Sequence, residues 1–382
     1  MATPATPPLL RALNDRNALG ALLDHGVLTR AGIGDTCGLS KQTSSQVVQR
    51  LEAAGLIEPS ARVSGGRGPD AIGYSVIPDR VLGVAVDARE DGLTSVVVDA
   101  RGDERPLAET PRGRSALVDV DLAVTAACES AGVERAKIAS VVIGVPGSVD
   151  QAGDTLRFAE DYPGWPDAGV ATKLRDALGC AVVLDNDVKY AAVAERIDGV
   201  GRDEEGFALL WMGAGLGLAV DLAGSVIRGA SGAAGEIGYI PVSSQLLSAG
   251  DGAAVLQDVI GGPAIARMVR EAGAPGKTDA ELFAALSAQP EAMDTLATRI
   301  TLAVVPVLAV LDPGLLVLGG PVGLGGGTRL ATLVAARIAS ITRWQPRVLA
   351  TGVAGHPVLL GARAILRQEL RTRLLDEVGR VD

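Results

Sequence analysis

Apolar residues first recur at helical spacing at positions 9, 10, 13, 19, 22 and 23, which predicts a helix over residues 9–25 ended by Gly26. Thr29 is placed to cap a short second helix over residues 31–36. Cys37-Gly38-Leu39-Ser40 then supplies a glycine turn and a serine N-cap. Residues 41–54 read as a third helix, with Val47, Val48 and Leu51 inward and Gly55 as its stop. Two short strands follow at residues 56–58 and 74–77, and Pro78 marks a boundary. Beyond it the period changes. Short apolar runs at residues 81–86, 94–99, 138–145, 181–184, 207–212, 218–222, 315–318 and 348–351 predict buried strands. Helices are expected between them, at residues 118–131, 188–196, 255–270, 279–286, 293–311, 328–340 and 361–378. Two halves that each open on a strand hairpin suggest a duplication with a cleft between lobes.

The amino-terminal pattern is helix, glycine turn, helix, then a two-stranded wing. The outer side of the third helix offers Ser40, Lys41, Gln42, Thr43, Ser44, Ser45, Gln49 and Arg50, short polar and basic side chains able to reach base edges and phosphates. Arg67 sits at the tip of the wing, within Ser64-Gly65-Gly66-Arg67-Gly68-Pro69. A small helical lid or dimerisation unit is the bland alternative. If the unit binds duplex DNA, one copy holds weakly, so a dimer or tetramer on paired half-sites is expected.

In the body, chemistry gathers at strand ends. Ser148 follows a buried strand in Pro146-Gly147-Ser148, where open α/β sheets bind ligands or merely turn. Glu160 and Asp161 lie in a loop with Tyr162 and Trp165, suited to hydroxyl-rich ligands or simply anchored by its aromatics. Asn186 and Asp187 stand between a strand and a helix, placed to grip vicinal hydroxyls or to cap that helix. From residue 211 to 239, Gly213, Gly215 and Gly217 alternate along an extended segment, so a ligand or another piece of chain can approach bare backbone. That segment closes on Gly235-Glu236-Ile237-Gly238-Tyr239.

Composition narrows these readings. With 382 residues, 48% hydrophobic but only 3% aromatic, the chain has a core of Ala, Val, Leu and Ile and room for two or three domains. Cys37, Cys128 and Cys180 have no metal-ligand spacing and form no disulfide framework, which points to a reducing cytoplasm. No secretory pattern opens the sequence, and the apolar run at residues 302–311 is broken by Pro306, so no membrane is expected. The net charge of −10 excludes nonspecific nucleic-acid coating by the whole chain. The first 80 residues carry +1, however, and the remainder −11.

Together these motifs resemble the ROK family (repressors, open reading frames and kinases), specifically its winged-helix regulators. The residues that carry the resemblance are Asn14-Asp15-Arg16, Gly38-Leu39-Ser40-Lys41, Gly65-Gly66-Arg67, Gly144-Val145-Pro146-Gly147, Pro163-Gly164-Trp165, Asn186-Asp187, Gly235-Glu236-Ile237-Gly238 and Leu318-Gly319-Gly320. The resemblance implies an α/β fold: a winged helix-turn-helix over residues 1–78, then an actin-like, hexokinase-like duplicated domain over residues 79–382. Its first lobe would take residues 79–190 plus 361–382, and its second residues 191–360. It also implies a sugar or sugar phosphate effector held by Glu160, Asp161, Asn186, Asp187, Glu236 and Tyr239, with Asp187 the base in a kinase relative; Ser148 is added to that set by its place at a strand end. By its own glycines, Gly319-Gly320-Pro321-Val322-Gly323 after the strand at residues 315–318 reads as a loop able to close over an adenine.

The departures matter as much. Kinase members carry Asp-x-Gly-Gly-Thr where this chain has Asp87-Ala88-Arg89-Glu90-Asp91. Ala214 stands where the second phosphate loop has Thr, and Tyr239 where the zinc site has His. No cysteine follows Cys180, and Gln257 is the candidate replacement for a sugar-contacting Glu. The expectation is therefore no zinc, no cofactor and no phosphoryl transfer: a regulator that senses carbohydrate and binds an operator. An active sugar kinase and an effector-independent DNA-binding protein are the alternatives.

Overall fold

The structure, a computed structural model, describes residues 7–63, 71–113, 115–159, 164–242 and 255–378. The amino-terminal unit comprises α1 (Pro7–His25), β1 (Leu28–Thr29), α2 (Arg30–Cys37), α3 (Lys41–Ala53), β2 (Ile57–Val63) and β3 (Ala71–Val76). Thr29 caps α2 by accepting from the Gly32 N–H, and Ser40 caps α3 by accepting from the Thr43 N–H. Between them Gly38 takes φ 66°, the left-handed conformation that ends α2. The strands pair antiparallel in the order β1-β3-β2.

The body follows as β4 (Leu82–Ala88), β5 (Gly92–Asp99), β6 (Leu107–Pro111), α4 (Ala116–Ala131), β7 (Ile138–Val145), β8 (Ser148–Asp150), β9 (Thr155–Arg157), α5 (Val170–Leu178), β10 (Ala181–Asn186) and α6 (Asp187–Asp198). The second half is β11 (Gly206–Met212), β12 (Leu216–Leu222), β13 (Ser225–Val226), α7 (Gln257–Ile260), α8 (Gly262–Glu271), α9 (Asp279–Ala285), α10 (Pro290–Leu311), β14 (Leu315–Gly319), α11 (Gly320–Ile341), β15 (Arg347–Ala350) and α12 (Pro357–Glu377). The two five-stranded sheets run β10-β7-β4-β5-β6 and β15-β14-β11-β12-β13. In each, an antiparallel hairpin sits beside two parallel strands, so the topology repeats. The parallel strands are apolar on both faces, as strands covered by helices on each side must be.

Two expectations change. Gly319-Gly320-Pro321-Val322-Gly323 is not a loop over an adenine: Gly320 begins α11, with Pro321 in its first turn. The helix expected over residues 255–270 breaks at Gly261, which is extended at φ −74°, ψ 164°, into α7 and α8. By length and composition α10 could cross a bilayer. Yet Met293, Leu296, Ile300, Val304 and Leu308 are buried in the second-lobe core.

The segment that joins the parts is α12. It packs on α6, β4, β5 and β7 and reaches α1. The apolar core of the amino-terminal unit, including Leu19, Leu22 and Leu51, is continuous with Ala362, Leu366, Leu370 and Leu374 of α12. Three ion pairs frame that contact: Arg16 with Asp376 at 2.7 Å, Arg80 with Glu377 at 2.8 Å, and Arg371 with Asp24. Gly361 permits the α12–α6 approach, because a Cβ there would lie 1.9 Å from the Tyr190 carbonyl oxygen.

Candidate functional site

On α3 the side chains divide by helical face. Lys41, Gln42, Gln46 and Gln49 are exposed; Thr43 and Ser45 are half-buried. The hydroxyls of Ser40 and Thr43 lie 2.8 Å apart, and Ser45 donates to the Lys41 carbonyl at 2.9 Å, so these groups are partly spent on the helix itself. Two expected contacts are corrected. Ser44 is 1% exposed and donates inward to the Lys41 carbonyl, so it cannot reach a base edge. Arg50 turns back on α1, its guanidinium holding the Asp15 carboxylate at 2.8 and 2.5 Å. That bidentate pair clamps α1 to α3.

Two residues were missed. Gln46 shares the outer face with Gln42 and Gln49, which helical spacing alone would have shown. Arg30 lies 5.3 Å over the Tyr74 ring, a cation–π contact joining α2 to the wing. It borders a groove of about 560 Å³ also lined by Thr29, Asp35, Lys41, Ser45 and Tyr74. Arg67, Glu160 and Asp161 lie outside the described residues.

The cleft between the lobes gathers most of the other candidates. Parallel pairing of β4, β7 and β10 sets Asp87, Gly144 and Asp185 level at the carboxyl edge of the first sheet. Asn186 is buried: its oxygen accepts from the Lys189 N–H at 3.2 Å and its amide donates to the Gly147 carbonyl at 3.0 Å. It therefore both caps α6 and fixes the turn that leads to Ser148. Ser148 is 1% exposed, and its Oγ has no hydrogen-bond partner among the described residues. Asp187 opens α6 and is half-buried, with Asp87 and Glu236 close enough to repel its charge.

Burial, then those two carboxylates, push the Asp187 carboxyl up to about 7. Burial likewise raises Asp87 to about 6, against the pull of Arg89. Between the ordinary carboxylate range and neutrality, the folded chain thus holds protons that the unfolded chain has released. Stability falls as pH rises through that window and is flat above it. Asp187→Asn should remove much of this slope, on the order of 1–3 kcal/mol between pH about 5 and 8. Thermal midpoints at both pH values check it; an unchanged slope would refute the assignment.

Beneath this floor, Lys189 is buried and donates to the Gly232 carbonyl, with the Asp185 carboxylate 3.9 Å away. Arg228 holds the other Asp185 oxygen at 2.6 Å. A Cβ on Gly232, whose φ is +78°, would lie 2.0 Å from the Val149 carbonyl oxygen. The segment from Arg228 to Glu236 therefore runs from the second lobe directly against the first. Tyr239 is 47% exposed and meets Phe158, ring centroids 4.8 Å apart and tilted 51°. Phe158 holds φ 55°, a left-handed conformation costing a non-glycine residue about 1–2 kcal/mol.

The turn of the β4–β5 hairpin, beside Asp87, is where the resemblance implies nucleotide phosphates. There the Arg89 guanidinium lies 3.8 Å from Asp87, 3.2 Å from Asp91 and 2.8 Å from the Thr94 hydroxyl. A cation of the chain's own thus sits against Asp87. Gln257 is not aimed at a sugar; it accepts from the Leu216 N–H at 2.9 Å and donates to the Ala214 carbonyl at 3.2 Å, tying down the glycine loop. The bare face at Gly217 is taken by Val188 of α6, which a Cβ would meet at 2.8 Å. Among the described residues no cluster of three His, Cys, Asp or Glu side chains is arranged to hold a metal ion.

Comparison with known proteins follows this division. Residues 84–369 match the ROK family, and residues 12–68 match the MarR family. A glucokinase of Thermotoga maritima is 25% identical over 252 residues, covering 60% of this chain and 80% of the enzyme. A xylose repressor of Caldicellulosiruptor bescii is 24% identical over 243 residues, covering 62% of this chain and 60% of the repressor. Among solved structures, a ROK family transcriptional regulator described as a homolog of the E. coli MLC protein superposes with a TM-score of 0.70 at 19% identity. That match covers 97% of this chain and 99% of the other. A ROK family glucokinase from Streptomyces griseus in complex with glucose and AMPPNP gives 0.62 at 23% identity, over 75% of this chain and 99% of the enzyme. With three quarters of its length matched by the family and its strand order repeated in two lobes, the chain belongs to the ROK family and carries a MarR-type winged helix at its amino end.

Proposed function

We propose that this protein is a DNA-binding transcriptional regulator whose kinase-like body senses a sugar-class effector without phosphorylating it. The observation that carries the reading is Arg89: a guanidinium paired with Asp87 occupies the side of the cleft where a kinase would hold phosphates. On the DNA side, Lys41, Gln42, Gln46 and Gln49 present a polar outer face on α3, with Arg30 beside it. The xylose repressor relative supports the same reading. Self-association would place two such helices on adjacent half-sites.

The route between the sites is short. Asn186 and Asp187 begin α6, α6 lies along α12, and α12 seats α1 by the shared core and three ion pairs. An effector that binds one lobe arrangement better than the other biases α6 and, through α12, the winged helix. Footprinting on the DNA upstream of target genes, with and without glucose and xylose, tests the reading. No protection at low salt under any condition overturns it.

A second reading, an active sugar kinase, is favoured by Asp187, whose pKa of about 7 suits a general base, and by the glucokinase relative. ATP-dependent phosphorylation of glucose, lost in Asp187→Asn, would establish it. Under the sensor reading, wild type turns over no ATP. Replacing Arg89 and Glu90 together by glycine should raise ATP affinity at least about 10-fold, by removing side-chain bulk and one acid from the phosphate position. Calorimetric titration with ATP checks this; unchanged affinity would remove Arg89 as the reason for inactivity.

A further inference from the structure

An aromatic pair stands at the cleft. Phe158 leaves β9 of the first lobe and Tyr239 follows the glycine hairpin of the second, so their contact spans the two lobes. Phe158 holds a strained left-handed backbone beside that contact, and strain of this kind gathers where a ligand or switch needs it. Tyr239 retains 47% of its surface exposed, so one flank of the pair is open.

The pair also borders the polar floor. A Cβ on Gly147 would lie 2.9 Å from the Arg157 carbonyl oxygen and 3.0 Å from the Ala159 Cβ, so the chain around Phe158 lies directly on Gly147. The Gly147 carbonyl takes the Asn186 amide, and Ser148, next along, holds a buried hydroxyl without a partner among the described residues. On the other side Glu236 stands three residues before Tyr239 and is near enough to Asp187 to act on its charge.

Charge on that floor is acidic. Asp87 and Glu236 both lie near enough to Asp187 to act on its charge, while the nearby cations are engaged: Arg89 with Asp87 and Asp91, Arg228 with Asp185, Lys189 with the Gly232 carbonyl. A phosphate or carboxylate brought to this floor meets carboxyl groups already crowded enough to hold protons, while the cations beside them are engaged. A neutral hydroxyl instead finds acceptors in the carboxylates.

We propose that the cleft takes an uncharged hydroxylated ring bearing a substituent with an apolar face, and that Phe158 and Tyr239 receive that substituent. The substituent is an aryl group or the C–H face of a second sugar ring, since either stacks on an aromatic flank. This inference rests on the sensor reading and narrows it from sugars in general to neutral glycosides.

Isothermal titration of the full chain tests it, using glucose, xylose, glucose 6-phosphate, the phenyl β-glycosides of both sugars, cellobiose and xylobiose. The phenyl glycoside or the disaccharide should bind at least about 10-fold tighter than its parent sugar, the size expected of one good aromatic contact. Glucose 6-phosphate should bind no tighter than glucose. Tyr239→Leu should cut the substituent's advantage, read as the ratio of glycoside to parent-sugar affinity in the same variant, to about 3-fold or less. Phe158→Gly should do likewise while keeping or raising Tm, because glycine adopts φ 55° without strain. An advantage that survives in both variants, or tighter binding of glucose 6-phosphate, overturns the proposal. Free sugars that bind and shift DNA affinity, with no gain from any substituent, sink this inference alone. No binding by any compound sinks the sensor reading with it.

Discussion

Gly361→Ala should lower Tm by about 5–10 °C, one of the largest effects of any single methyl group in this chain. The added Cβ would meet the oxygen, carbon and Cα of Tyr190 at 1.9, 2.6 and 2.9 Å. All three belong to the α6 backbone, so no rotamer change relieves the clash and α12 must move as a body. Overpacking of that kind costs about 1–3 kcal/mol or more. The informative comparison is Gly144→Ala, whose Cβ would meet Val358 Cγ1 at 2.5 Å and Tyr190 Cδ2 at 3.1 Å, both on side chains. The Gly144 variant should be the milder of the two by several degrees in a thermal scan. Equal midpoints would mean that α12 is not held rigidly against α6, and the proposed route from cleft to winged helix would lose its central joint.

The double substitution Gln42→Ala, Gln46→Ala should weaken operator binding about 10- to 100-fold or more, at about 1–3 kcal/mol per lost base contact, with Tm nearly unchanged. Both side chains are exposed on the outer face of α3. Arg50→Ala should behave in the opposite way. It strips the partner from Asp15, which is 7% exposed, and should cost about 1–3 kcal/mol of stability. DNA affinity of the folded protein should then stay within a few-fold of wild type. Gel shifts at fixed salt, paired with thermal scans, separate the two patterns. If Arg50→Ala abolished binding without lowering Tm, the assignment of Arg50 to the α1–α3 clamp would be wrong.

What was legible in the chain was local. Thr29 and Ser40 announced the starts of α2 and α3 because a capping hydroxyl acts within three residues of itself. The apolar runs announced the two hairpins and the parallel strands for the same reason. Even so, helical spacing was under-used on α3. Ser44 falls on the same face as Val47, Val48 and Leu51, and Gln46 on the face of Gln42 and Gln49. Pro321 in the first turn of α11 also signalled a helix where glycines suggested a loop. Other features had no local sign. Arg50 finds Asp15 across 35 positions, and Gln257 reaches Ala214 across 43. Phe158 meets the Tyr239 ring 81 residues away, which no reading of its neighbours could supply. The three-residue strands β8 and β9 were too short to show a period.

The seat of the winged helix has a consequence for synthesis. Helix α1 docks on α12, about 280 residues downstream of the last strand of its own unit. At about 5–20 residues per second, a ribosome takes on the order of 15–60 s to cover that distance. Throughout that interval the nascent reader waits with its docking face uncovered, and only the arrival of α12 makes it answerable to the cleft.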